Sequence, residues 1–159
     1  MSQASLERAL PDGKRILLDT SVLIAYLNGG DPVSPLAAHV VDELVRTGRN
    51  PALVSMVTVM EVLVRPLRLG PAAPYQHLLD FLTHFPHLEA GIIALPVAQE
   101  AASLRATYTP RPADALIVAT GIVRQVAHLV TDDADWPRKL QPLARRIRVC
   151  RLSHHLPFP

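Results

Sequence analysis

The stretch that decides the fold is "RILLDTSVLIAYL", residues 15–27. An apolar run enters, stops at one carboxylate, Asp19, and resumes after two hydroxyls, Thr20 and Ser21. The part before Asp19 is short, apolar and bounded by charge, as a buried strand is. The part after it continues without a breaker, so a helix starts where the strand ends. Asp19 then lies at a strand's carboxyl end, where it either caps the helix or faces a crevice.

Working outward, the same alternation recurs. "SPLAAHVVDELVRTG" (34–48) reads as a helix with Ser34 as N-cap, Pro35 in its first turn and Gly48 as its stop. "NPALVS" (50–55) is a second strand, followed by the helical "MVTVMEVLVRPLRLG", kinked or ended by Pro66. "APYQHLLDFLTHF" is helical, "GIIALP" (91–96) a third strand, and "VAQEAASLRATY" a short helix. "RPADALIVATGIVRQV" starts a helix at Pro112, "AHLVTDD" ends a fourth strand in acids, and "RIRVCRL" is a fifth. The tail "SHHLPFP" reads as irregular. Strands alternating with helices imply an α/β fold: a doubly wound, mostly parallel sheet of about five strands with helices on both faces. The 159 residues are expected to form a single domain, 1–159, with a core of about 15–152.

Composition narrows the function classes. A hydrophobic fraction of 49% supports a core of ordinary size. No apolar run approaches the roughly 20 residues of a membrane helix, and the N-terminus has no apolar region of the signal-peptide kind. The one cysteine, Cys150, sits in an alternating strand pattern and reads as buried. A lone cysteine fits a reducing compartment, and the expected location is cytoplasmic. The net charge of +2 comes almost wholly from arginine and is not a polybasic tail. The histidines have no zinc-like spacing.

The acids carry the chemistry. Glu61 stands in "VSMVTVMEVLVRP", apolar on nearly every side, where a carboxylate is costly unless it pairs with Arg65 or holds a cation. Asp114 opens a helix, where it also suits the helix dipole. Asp132, Asp133 and Asp135 crowd the turn "LVTDDADW". Each of these acids falls near a strand's carboxyl end or the start of the next helix. In a doubly wound sheet those positions share one edge. Like charges brought together resist ionisation unless a cation joins them. Oxygen ligands without His or Cys suit Mg²⁺ or Mn²⁺, and carboxylate-held metals hydrolyse phosphodiesters. Ser21 and Thr131 would orient the carboxylates from behind. Arg65, Arg68, Arg111, Arg138 and Lys139 are basic residues near this edge, and Trp136 either stacks a base or packs.

The motifs "ILLDTSVLIAYL", "SMVTVMEVL", "RPADALIVATGI" and "LVTDDADW", in this order over residues 16–136, resemble a PIN domain. The compact length resembles the VapC-type toxins of bacterial toxin–antitoxin pairs. The resemblance implies a Mg²⁺- or Mn²⁺-dependent ribonuclease acting on RNA, a strand order of 3-2-1-4-5, a homodimer and a VapB-like antitoxin partner. It maps the catalytic and metal-binding acids onto Asp19, Glu61, Asp114 and Asp133, with Asp132 as the alternative ligand in the turn. The helices "HVVDELV" and "YQHLLDFLTHF" are candidates to wall an antitoxin groove or simply to pack. A related nuclease without an antitoxin, and a non-catalytic nucleotide- or protein-binding module, are the alternatives on the same sheet.

Overall fold

The protein was analysed as a computed structural model, which describes residues 2–157. The strands are β1 (Ile16–Leu18), β2 (Ala52–Ser55), β3 (Leu88–Gly91), β4 (His128–Thr131) and β5 (Arg148–Arg151). All pair in parallel, in the order β3-β2-β1-β4-β5. Their carboxyl ends therefore share one edge, and the winding reverses between β1 and β4.

Successive strand residues point to opposite faces, and the two cores divide that way. Ile16, Leu18, Val54 and Val130 pack one core; Leu17, Leu53 and Leu129 pack the other. On the first face lie α1 (Ser2–Ala9), α2 (Thr20–Asn28), α3 (Ser34–Ala38), α4 (Met56–Leu69) and α5 (Ala72–His84). On the second lie α6 (Leu95–Tyr108), α7 (Pro112–Val123) and the short α8 (Trp136–Lys139). Helix α7 lies close against the sheet at two glycines. A Cβ on Gly91 would meet Thr120 Cγ2 at 2.7 Å, and one on Gly121 would meet Leu17 Cδ2 at 3.0 Å.

Several sequence expectations are corrected. The third strand is Leu88–Gly91, not 91–96. The apolar run that suggested it is exposed instead, with Ile92 at 68% and Leu95 at 71%. Register explains this: β3 pairs with β2 from Ala52–Leu88 to Ser55–Gly91, and Glu89 bridges Arg15 and Arg124 beside it. Those guanidiniums, Arg124 first, pull the Glu89 carboxyl below its ordinary range. Ser34 does not cap its own helix: its hydroxyl donates to Ala25 O at 2.7 Å and ties α3 to α2. The helix continues as π-helical turns over His39–Val45. Pro66 lies inside α4, which runs on to Gly70 at φ +92. Helix α1 is unannounced by the sequence pattern; it buries Leu6, and Leu10 just past its end is buried too. The tail forms a 3₁₀ turn over Leu152–His155, and its last two residues lie outside the described residues. Cys150 is buried, and burial pushes its thiol up to about 12, so it is an inert core residue.

Candidate active site

The sequence places Asp19 one residue beyond β1, and its main chain is held there. Its N–H donates to Val130 O at 3.0 Å, and its carbonyl accepts from Val22 N at 3.1 Å. The backbone thus occupies the N-cap position of α2, but the carboxylate does not cap. It is 5% exposed, and its Oδ2 accepts three bonds: from Thr131 Oγ1 at 2.7 Å, Ser21 Oγ at 3.0 Å and Trp136 Nε1 at 3.2 Å. The Thr131 bond crosses the point where the winding reverses, the usual ligand position in such sheets. With Oδ2 saturated, Oδ1 is the oxygen left for a ligand; no hydrogen bond among the described residues reaches it.

Glu61 follows β2 on α4, whose N-cap Ser55 accepts from Val57 N at 3.3 Å. Its Oε2 accepts from Thr20 Oγ1, the hydroxyl next to Asp19. Arg65 turns away and donates to Asn28 Oδ1 at 2.6 Å. The Glu61–Arg65 pair that the spacing allowed does not form among the described residues.

Asp114 lies in the first turn of α7 and accepts from Lys139 Nζ at 3.1 Å. The same ammonium lies 5.3 Å from the Trp136 ring centroid. In the acidic turn, the two neighbours separate by role. Asp132 Oδ1 accepts from Ser153 N at 2.9 Å, with Arg151 Nε at 3.9 Å, which commits it to β5 and the tail. Asp133 is exposed; its Oδ1 accepts from Asp135 N at 2.8 Å. Its N–H is held by Thr131 Oγ1 at 3.0 Å. Asp135 pairs with Arg138 at 3.0 Å. Ser21 and Thr131 lie 3.2 Å apart and both contact Asp19.

The acids therefore lie along one chain of contacts. Glu61 reaches Asp19 through Thr20; Asp19 reaches the Asp133 main chain through Thr131 and Asp114 through Trp136 and Lys139. They do not close into a cage: among the described residues no three His, Cys, Asp or Glu side chains are grouped to hold an ion. The donor chemistry nonetheless fits a hard cation. Mg²⁺ is commonly held by one or two carboxylates, with water and substrate phosphate completing its shell. Asp19 Oδ1 would be the first oxygen available to such an ion, and Glu61, Asp114 and Asp133 are the acids that would have to supply any further ones.

Two residues that the sequence placed near this edge take roles there that the sequence did not give them. Trp136 is 2% exposed, so it does not stack a base; its indole N–H is a fixed donor to Asp19. Lys139 was one of several basic residues, and only space shows that it belongs to Asp114. The Trp after the acidic turn was the available signal, because a buried indole N–H needs an acceptor.

The PIN domain family model matches residues 16–140. Among solved structures, a toxin–antitoxin complex from Klebsiella pneumoniae is 22% identical, with a TM-score of 0.63, covering 86% of this chain and 97% of the other. VapBC2 from Rickettsia felis, bound to a promoter DNA fragment, is 16% identical, with a TM-score of 0.64 over 86% and 97%. FitAcB from Neisseria gonorrhoeae is 21% identical, with a TM-score of 0.63 over 87% and 99%. At these identities the likeness concerns the fold. A search of curated proteins returned no match. With the family model covering most of the chain and the five-stranded parallel sheet in place, the chain belongs to the PIN domain family.

Proposed function

We propose that this protein is a Mg²⁺- or Mn²⁺-dependent ribonuclease, the toxin of a toxin–antitoxin pair, and that residues 1–159 work as one domain in a cytoplasmic homodimer. The observation that carries the reading is Asp19: a buried carboxylate, held by three donors on one oxygen, at the reversal point of the sheet. Asp19, Glu61, Asp114 and Asp133 are the assigned catalytic and metal-binding acids, with Asp132 disfavoured by its bond to Ser153. A divalent ion bound there would supply Lewis acidity and a nucleophile at neutral pH. The chain's own residues do the positioning. Ser21, Thr131 and Trp136 fix the Asp19 carboxylate, Thr20 fixes Glu61, and Lys139 balances the charge of Asp114.

An apolar cleft supports the antitoxin partner. It has a volume of about 250 Å³ and is lined by Ile24 and Leu27 from α2, Glu61, Arg65 and Leu69 from α4, and Leu78 from α5. An apolar peptide bearing one basic side chain would fit it, with Glu61 as the counter-charge. Of the two helices that the sequence offered as walls, 39–45 turns Val40, Val41, Leu44 and Val45 into the core and is not a wall. Helix α5 lends Pro74 and Leu78 alone. Exposed Ile92, Ile93 and Leu95 offer apolar surface for a second copy. Among the described residues no helix is long and apolar enough to cross a membrane.

The test is cleavage of an end-labelled single-stranded RNA by the full chain. Cleavage is expected with Mn²⁺ or Mg²⁺, is abolished by EDTA and returns on adding excess Mn²⁺. RNA left intact with either ion overturns the proposal. Trp136→Phe keeps the ring in the core but deletes the N–H on Asp19. Cleavage should fall about 10–100-fold, as on losing an outer-shell partner, with the melting temperature within a few degrees of the parent's.

A further inference from the structure

The opposite edge of the sheet, where the strands begin, carries a basic cleft far from the acids. A cavity of about 280 Å³ is lined by Lys14, which leads into β1, by His128 of β4, and by Arg145, Arg146 and Arg148 around the start of β5. Among the described residues no acidic side chain lines it. Arg146 turns to Glu100 at 2.6 Å. Lys14, Arg145 and Arg148 are exposed and make no ion pair among the described residues.

His128 forms part of the wall. It is 7% exposed, and its Nδ1 is buried without a hydrogen-bond partner. Burial, then Arg148 and Lys14, disfavours its charged form, so the ring is neutral. A buried polar atom left unpaired is costly, and three neighbouring cations repel one another. An anion in the cleft would relieve the repulsion and give the buried imidazole a polar neighbour.

We propose that this cleft binds backbone phosphates of the RNA substrate, as a contact separate from the acidic site. Arginine forks and a lysine ammonium suit phosphate oxygens. The lining contains no glycine and no helix N-terminus to cradle a small phosphate with backbone N–H groups. The cations stand on an open lip instead, as backbone-tracking contacts do. Strands of three to four residues set the two sites at least about 10–13 Å apart, at roughly 3.3 Å per residue. Only an RNA extending beyond the scissile bond reaches both. The identity of the anion rests on the ribonuclease reading.

The test uses the full chain with Asp19→Asn, so that no RNA is consumed. Its affinity for a fluorescein-labelled 20-nucleotide single-stranded RNA is measured against salt, with and without Lys14→Ala, Arg145→Ala and Arg148→Ala together. These positions are exposed, so the fold should hold, which a melting curve checks. Each phosphate contact contributes about 0.7 to the salt slope for single strands, so the slope should drop by about 2. An unchanged slope overturns the proposal. A His128 ring resonance that shifts with inorganic phosphate, with no slope change, assigns the cleft to a small anion and also overturns it. In otherwise wild-type protein the triple substitution should raise KM for the 20-mer several-fold and leave kcat unchanged. Because binding is read without cleavage, an inactive parent that shows the slope change would remove the nuclease reading and keep this one.

Discussion

Asp19→Asn is expected to lower RNA cleavage by at least about 100-fold while the protein still folds. Asparagine has one oxygen, and three donors compete to claim it: the Ser21 and Thr131 hydroxyls and the Trp136 indole. The amide must therefore turn its oxygen inward and its NH₂ outward, so a donor replaces the acceptor that faces the ligand. An outer-shell loss alone costs about 10–100-fold, and here the charge goes too. Stability should fall modestly, because three bonds to a charged acceptor weaken to neutral ones, by about 1 kcal/mol each. That loss is partly offset by no longer burying a charge. Asp19→Leu separates the two roles: the Ser21 and Thr131 hydroxyls, 3.2 Å apart, can pair with each other, but the Trp136 indole N–H and one hydroxyl hydrogen lose their acceptor, at about 1–3 kcal/mol each. Its melting temperature should drop well below that of Asp19→Asn, at about 2–4 °C per kcal/mol for a chain of this size. Full cleavage by Asp19→Asn, with the same ion dependence, would end the case for the site.

What could be read in advance follows from where the information lies along the chain. The central strands were legible because they are buried on both faces: "ILL" is a short apolar run bounded by Arg15 and Asp19, and "HLVT" runs into the acidic turn at Asp132. The position of Asp19 followed from the abrupt change of pattern after Leu18. The edge strand β3 was misplaced because an edge needs less apolar sequence. Its "LEAG" holds a glutamate that pairs with Arg15 and Arg124, while the more apolar "IIAL" beside it stays at the surface. Helix α1 has a charged, polar composition with one fully buried leucine, Leu6, and is held besides by contacts such as His39 to Glu7 and Ser5 to His155, so no apolar period stands out. The acids were identifiable one by one, but their partners were not. Whether Glu61 chose Arg65, four residues away, or Thr20, forty-one residues away, depends on how α2 and α4 pack. The Lys139–Asp114 pair and the indole on Asp19 are likewise contacts between elements brought together by the fold.

Asp114→Asn is the second substitution expected to remove cleavage, by about 100-fold or more, and here stability should scarcely move. The Asp114–Lys139 pair lies at the site's rim, with side chains 19% and 29% exposed. Such pairs contribute about 0–1 kcal/mol, and an asparagine oxygen still accepts from the ammonium. The melting temperature should stay within a few degrees, in contrast to Asp19→Leu. Lys139 gives the prediction a second readout. Its ammonium holds Asp114 Oδ2, so an ion that drew on this carboxylate would have to compete with it. Lys139→Met should lower the Mn²⁺ concentration giving half-maximal cleavage, by up to about fivefold if the pair is worth 1 kcal/mol. In protein already carrying Asp114→Asn, the same change should shift that concentration much less, because the contested carboxylate is gone. If Lys139→Met leaves the half-maximal concentration unchanged, or Asp114→Asn cleaves as the parent does, Asp114 is a helix-start residue balanced by a lysine and not part of the ion's shell.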